Sequence, residues 1–241
     1  MFRKLVSLDE AMQILQQHVP AKPVGVEQVS LLQAHQRVLA KDAHAPLDVP
    51  PFNRATVDGY ALKAENTFGA DEENPITLKL LGHVTVGETP EIVVEEKTTV
   101  GIATGAPLPS GADAVVMTEY TAQKNNHVSV YSAVSKGENV MEAGSDIRKG
   151  ETVVKRSQTL SSRDVGVLAA LGYTKVDVFK RPKVAVISTG AEIVEPGEPL
   201  PSAKIYDINA YTISAAVQEC GGQSLNFGII PDEIDELKAA L

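Results

Sequence analysis

The spacing of apolar residues changes along this chain, and the changes exclude any single repeating architecture. From Ser7 to Val19 the interval is helical: Leu8, Met12, Leu15 and Val19 recur on one face, and Ser7 with Glu10 has the S-x-x-E spacing of a capping box. Pro20 ends that pattern. A short strand is predicted from Val26 to Leu31 and a second helix over Leu32 to Ala40. Three prolines and an Asp-Gly pair in AHAPLDVPPFNRATVDGYAL then prevent a long regular element. From Ile76 to Val134 the period drops to two, through ITLKLLGHVTV, TTVGIAT, ADAVVMTEY and HVSVYSAV, which predicts an all-β module.

Gly137 to Gly150 is a glycine-punctuated loop, and SSRDVGVLAALG predicts a helix with Ser161 as cap, Asp164 three residues on and Gly172 as stop. Beyond Arg181-Pro182, KVAVIS reads as a buried strand and SLNFGII as a second strand. DINAYTISAAVQECGG reads as a helix with Asp207 as a candidate cap, and DEIDELKAAL as a helix with Ile234, Leu237 and Leu241 on one face. Strand, helix, strand, helix predicts a parallel α/β layer. Two strands do not make an independent three-layer domain, so that layer is expected to be incomplete within this chain.

Composition narrows the function classes. The net charge of −9 disfavours a nucleic-acid-coating role, which rests on neutralised phosphates. Charge is uneven: Arg148 to Lys183 holds nine Lys or Arg against three Asp or Glu, leaving −15 on the rest. That stretch reads as a solvated basic face or as a place for an anion. Tryptophan is absent, and the lone Cys220 rules out an internal disulfide and fits a reducing compartment. No apolar run approaches the roughly 18 residues of a membrane helix, so a soluble, cytoplasmic protein with no membrane or nucleic-acid partner is expected. The five histidines show no paired ligand spacing, and there is no G-x-S-x-G elbow, P-loop or G-x-G-x-x-G.

Four polar loops remain as carriers of chemistry. Asp58 in PPFNRATVDGYAL stands in an Asp-Gly pair, which on local grounds closes a type I′ hairpin turn. Thr104-Gly105 in GIATGAPLPSGADAVVMTEY offers a hydroxyl and unhindered amides to an oxyanion, or simply connects two strands. Asp146 in GENVMEAGSDIRKG lies beside Arg148 and Lys149, a pattern shared by surface ion pairs. Finally, KVAVIS runs into Ser188-Thr189-Gly190 and Glu192, at the carboxyl end of a strand where open α/β sheets bind ligands. A helix-capping Ser-Thr pair is the alternative there. Local signals stop at an oxyanion-binding α/β protein.

Taken in order, PLDVPPFNRATVDGYAL, IATGAPLPSGADAVVMTEY, GENVMEAGSDIRKGE, RPKVAVISTGAEIVEPGEPL, IYDINAYTISAAV and GIIPD resemble the molybdopterin molybdenumtransferase family, whose relatives include the catalytic C-terminal half of gephyrin. These stretches span Pro46 to Asp232. The resemblance implies a multidomain α+β and α/β fold: a split helical N-terminal region (1–45 and 146–180), an inserted β-rich module (46–145), and the start of a three-layer α/β molybdopterin-binding domain (181–241). A later GGVS-type loop and a small C-terminal β domain are expected to follow.

The implied reaction inserts molybdate into adenylylated molybdopterin with release of AMP, aided by a divalent cation such as Mg²⁺. The matching positions are Asp58, Thr104, Asp146 and Glu192 as catalytic residues, with Ser188, Thr189, Gly190 and Asp232 holding the pterin cofactor. Asp58, Asp146 and Glu192 are the expected metal ligands: bare carboxylates about 5 Å from an anion repel it by roughly 3 kcal/mol at an effective dielectric of 20, and a bridging cation reverses that. A homodimer with shared active sites is implied as well. Two departures stand out: Ala191 replaces the acid of STGDEL, and TVDGYA replaces AMDGYA while keeping the aspartate. A gephyrin-like scaffold and a nucleotide-processing hydrolase on the same α/β layer are the competing readings.

Overall fold

A computed structural model describes residues 6–19 and 21–240. Pro20 and Leu241, which the helix predictions used, lie outside the described residues, as do residues 1–5. The chain resolves into two compact units. One contains the residues up to Asp42 with Lys155–Ala169 and those from Tyr173 onward; the other contains Ala43–Val154 with Ala170–Gly172.

In the first unit, helix α1 (Leu8–His18) forms where its capping box predicts. The Ser7 hydroxyl accepts the Glu10 amide while Glu10 accepts the Ser7 amide. Its apolar stripe is uncovered: Leu8, Met12, Leu15 and Val19 are 49–80% exposed and no residue of the helix is buried. Strand β1 (Val26–Ser30) pairs antiparallel with the later Lys175–Phe179. The predicted second helix is corrected. Only a 3₁₀ turn forms at Leu31–Gln33. Gln36 adopts φ +58, which no right-handed helix tolerates, and Val38 and Leu39 bridge to Thr159 and Val178 instead.

The second unit is built on a six-stranded sheet. Its strands are β2 (Gly59–Leu62), β3 (Ile76–Val84), β4 (Thr98–Ile102), β5 (Ala114–Met117), β6 (Thr121–Lys124) and β7 (His127–Val130), in the spatial order β5-β2-β4-β3-β7-β6. All neighbours run antiparallel except β3 and β4. Period-two spacing sends Tyr60, Leu62, Ala114, Val116, Val128 and Val130 to one apolar cluster, and Ala61, Val100, Ile102 and Val115 to another on the opposite face. Both faces are covered at the centre, which is why β5 reads as an unbroken apolar run. The proline-rich stretch supplies only two-residue strands: Ala43–His44, pairing with Thr152–Val154, and Arg54–Ala55, pairing with Val140–Met141.

Returning to the first unit, helix α2 (Ser162–Ala170) is capped by Ser161 and Asp164 reciprocally. Strand β8 (Lys175–Phe179), which the sequence reading did not single out, follows and is the partner of β1. Next, β9 (Lys183–Thr189), α3 (Asn209–Glu219), β10 (Gln223–Ile230) and α4 (Ile234–Ala240) form the predicted strand-helix-strand-helix succession. β9 and β10 pair in parallel, with Thr189 opposite Ile230, so their carboxyl ends lie side by side.

Candidate functional site

In the β unit the register brings two of the expected residues together. Gly59 at the start of β2 pairs with Ile102 at the end of β4, so the residue before one strand meets the turn after the other. There the Thr104 backbone N–H and hydroxyl both donate to Asp58 Oδ1, at 2.7 and 2.8 Å. The amide bond first, then the hydroxyl, holds the Asp58 carboxyl below the usual aspartate range, so it is ionised at neutral pH. Its second oxygen has no hydrogen-bond partner among the described residues.

The Asp58-Gly59 pair is not a hairpin turn. Gly59 does not adopt a positive φ, and a Cβ built on it would sit 1.9 Å from the Val116 carbonyl oxygen. Glycine is required by close strand approach rather than by turn geometry. Asp58, Tyr60, His83, Thr85, Ile102 and Thr118 line a cavity of about 340 Å³ beside the carboxylate.

Asp146 lies in the same unit on an exposed loop whose backbone N–H donates to the Val49 carbonyl at 3.0 Å. No ion pair joins it to Arg148 or Lys149 among the described residues. The neighbouring structural acid is instead Asp48, whose Oδ1 accepts the Lys149 amide at 2.8 Å. No hydrogen bond links Asp146 to Asp58 or Thr104 among the described residues.

In the α/β unit, Ser188 is buried at the end of β9 and donates its hydroxyl to the buried carboxylate of Asp207. Asp207 Oδ1 also accepts the Ala210 amide at 3.0 Å, at the start of α3. These bonds, the Ala210 amide first, hold its carboxyl below the usual range. Sequence reasoning took Asp207 for a cap only; its link to Ser188 joins the helix to the Ser188-Thr189-Gly190 turn. Gly190 has φ +143, and a Cβ there would meet the Glu192 carboxylate at 3.0 Å, so Glu192 folds back against the turn. Thr189, Glu192 and Asp232 are exposed, and Asp232 follows β10 at the same carboxyl edge as Thr189. At the departure from STGDEL, the Lys204 ammonium donates to the Ala191 carbonyl.

Thus Asp58 is joined to Thr104, and Ser188, Gly190 and Glu192 share one turn. Among the described residues no group of three or more His, Cys, Asp or Glu is placed to hold a metal ion. No helix among the described residues is long and apolar enough to cross a membrane.

Residues 6–172 match the family model described as the MoeA N-terminal region (domain I and II), and residues 185–241 match that of a probable molybdopterin binding domain. A molybdopterin molybdenumtransferase of Staphylococcus epidermidis is 34% identical over 97% of this chain and 55% of its own length. Molybdopterin molybdenumtransferase 2 of Mycobacterium tuberculosis is 35% identical over 88% and 53%. Two crystal structures of MoeA proteins of molybdopterin biosynthesis from Pyrococcus horikoshii, 42% and 36% identical, superimpose with a TM-score of 0.89 over 98% of this chain and 60% and 64% of theirs. The chain spans about half the length of the curated relatives it matches.

Proposed function

Because the chain belongs to the MoeA family of molybdopterin molybdenumtransferases, we propose that it takes part in inserting molybdate into adenylylated molybdopterin, with release of AMP. The observation that carries this reading is the Asp58 carboxylate, ionised and pinned through one oxygen by both donors of Thr104, with its other oxygen left to a ligand. The second support is the Ser188-Thr189-Gly190 turn at the carboxyl edge of two parallel strands, where α/β layers bind ligands. In this reading Thr189 and the turn's amides hold anionic oxygens, while Asp207 fixes Ser188. Glu192 and Asp232 offer acceptors from exposed positions in the α/β unit, and Asp146 offers one from an exposed loop of the β unit.

A divalent cation such as Mg²⁺ belongs to the same proposal, because it offsets the repulsion between carboxylates and an anionic substrate; among the described residues no group of three or more His, Cys, Asp or Glu would hold it. A homodimer with shared sites is part of the proposal, supported by the exposed apolar stripe of α1, a surface that monomers rarely leave bare. A cytoplasmic setting is proposed from the single free thiol, Cys220.

Replacing Asp58 by Ala in the complete protein tests the reading. AMP release from adenylylated molybdopterin and molybdate is expected to cease while the circular dichroism spectrum is unchanged. Undiminished AMP release would remove Asp58 from the reaction, and no AMP release from the unaltered protein would favour a scaffold.

A further inference from the structure

The basic stretch that ends at Lys183 turns a corner within the first unit. Lys180-Arg181-Pro182 joins β8 to β9, and the end of α3 packs beside it. There the Gln223 amide donates to the Pro182 carbonyl at 2.8 Å. A Cβ built on Gly222 would lie 3.4 Å from that carbonyl oxygen and 2.9 Å from Val217 Cγ1, so the contact admits no side chain. Two adjoining cavities open at this corner, of about 240 and 490 Å³, and Gln36 and Arg181 line both. The corner lies at the amino ends of β9 and β10, where Lys183 pairs with Gln223. The length of β9 keeps it roughly 20 Å from the Ser188-Thr189-Gly190 turn at the carboxyl ends.

No aspartate or glutamate lines either cavity. Arg37 lines the smaller one, but its charge is met by Glu27. Lys180 and Arg181 have no ion pair and no side-chain hydrogen bond among the described residues, so two positive charges stand there uncompensated. A helix end ordinarily offers carbonyl oxygens to such cations. Here the Ala216, Val217 and Gln218 carbonyls already accept the amides of Cys220, Gly222 and Gly221, with Gly221 left-handed at φ +82. Around Arg181 the larger cavity adds neutral donors from Gln36, Gln218, Gln223 and Ser224. Ser224 Oγ accepts from Gln218 Nε2 at 3.3 Å, which leaves its own proton for another acceptor.

We propose that this corner is an accessory oxyanion site for a small tetrahedral dianion of the inorganic phosphate class, separate from the turn at the other end of β9. Two uncompensated cations match two negative charges on one ligand. The guanidinium fork of Arg181 fits two of its oxygens, Lys180 supplies a point charge, and the amides and hydroxyl of the larger cavity meet the oxygens that remain. A simple carboxylate brings one charge and two oxygens, and leaves those neutral donors unused. The site needs neither Asp58 nor the Ser188-Thr189-Gly190 turn, so it stands apart from the proposed reaction.

The test is an amide NMR titration of the isotope-labelled 241-residue chain with inorganic phosphate, with chloride holding the ionic strength constant. Saturable shifts are expected at Arg181 and Lys183 and from Gln218 to Ser224. Arg181→Ala should weaken binding roughly tenfold, the lower end for a charge-assisted bond. Arg181→Lys keeps the charge but loses the fork, and should recover only part of that affinity. Lys180→Gln should cost about two- to fivefold, as a solvent-screened charge does. Both side chains are exposed, so the variants should keep the parent spectrum away from the corner. Sulfate should displace phosphate, and acetate at the same ionic strength should not. Absence of saturable shifts, unchanged affinity in Arg181→Ala, or equal displacement by acetate would each overturn the site. Shifts at Ser188 to Gly190 with none at Arg181 would place the anion in the turn and overturn it as well.

Discussion

Thr104 grips Asp58 through two donors on one oxygen, its amide at 2.7 Å and its hydroxyl at 2.8 Å. The amide comes from the backbone and survives any side-chain change except proline. Thr104→Val should therefore raise the Asp58 pKa only part of the way back to the ordinary 3.8, because the larger of the two causes remains. Carboxyl-carbon NMR through an acid titration reads this directly. A pKa unmoved by Thr104→Val would show that the hydroxyl does not bond the carboxylate in solution.

Gly59 has no freedom to accept a side chain, because its missing Cβ would lie 1.9 Å from the Val116 carbonyl oxygen. The obstacle is backbone in the neighbouring strand β5, so it does not swing aside. Gly59→Ala should cost about 1–3 kcal/mol, the usual range for overpacking, and lower the urea midpoint accordingly. An unchanged midpoint would mean that β2 and β5 separate more easily than their pairing implies.

Asp207 provides a pH-dependent contribution whose sign is fixed by its depressed pKa. The carboxylate is favoured in the folded state, so the stabilisation is complete above the unfolded value of about 3.9 and fades as pH falls through the lower folded value. Asp207→Asn keeps a competent cap for α3 and should flatten that acid-side loss. Asp207→Ala removes the cap as well and leaves the buried Ser188 hydroxyl without its acceptor, costing roughly 2 kcal/mol at neutral pH. Denaturant midpoints of the three proteins between pH 3 and pH 7, a window of about four units around that value, compare them.

Helix α1 carries a reciprocal cap but buries none of its residues. Ser7→Ala should therefore reduce local helicity, by about 1 kcal/mol, without lowering the stability of the rest. Amide exchange confined to residues 8–18 would report it. If the stripe seats a second copy, Leu15→Glu should shift sedimentation toward the monomer; an unaltered distribution would exclude this face from self-association.

Much of the fold is legible residue by residue. The Ser7–Glu10 and Ser161–Asp164 pairs each act across three residues, so their spacing alone predicts the bonds that form. Period-two spacing likewise predicts the sheet of the β unit, and the strand-helix alternation after Pro182 predicts the parallel pairing of β9 with β10. The helix expected over Leu32 to Ala40 fails because Val38 and Leu39 find partners at Thr159 and Val178, far along the chain, and Gln36 turns left-handed to allow it. Tertiary pairing outweighs a weak local preference.

The site divides along the same line. Acid, hydroxyl and glycine at the right motif positions are visible in the sequence, since they need only be read in order. That Thr104 reaches Asp58 across 46 residues follows from the register of β2 on β4. Local interactions are settled within one helical turn or one pleat, so the sequence determines them by itself. Contacts between distant segments depend on which strands pair and in what register, and that is a property of the assembled core.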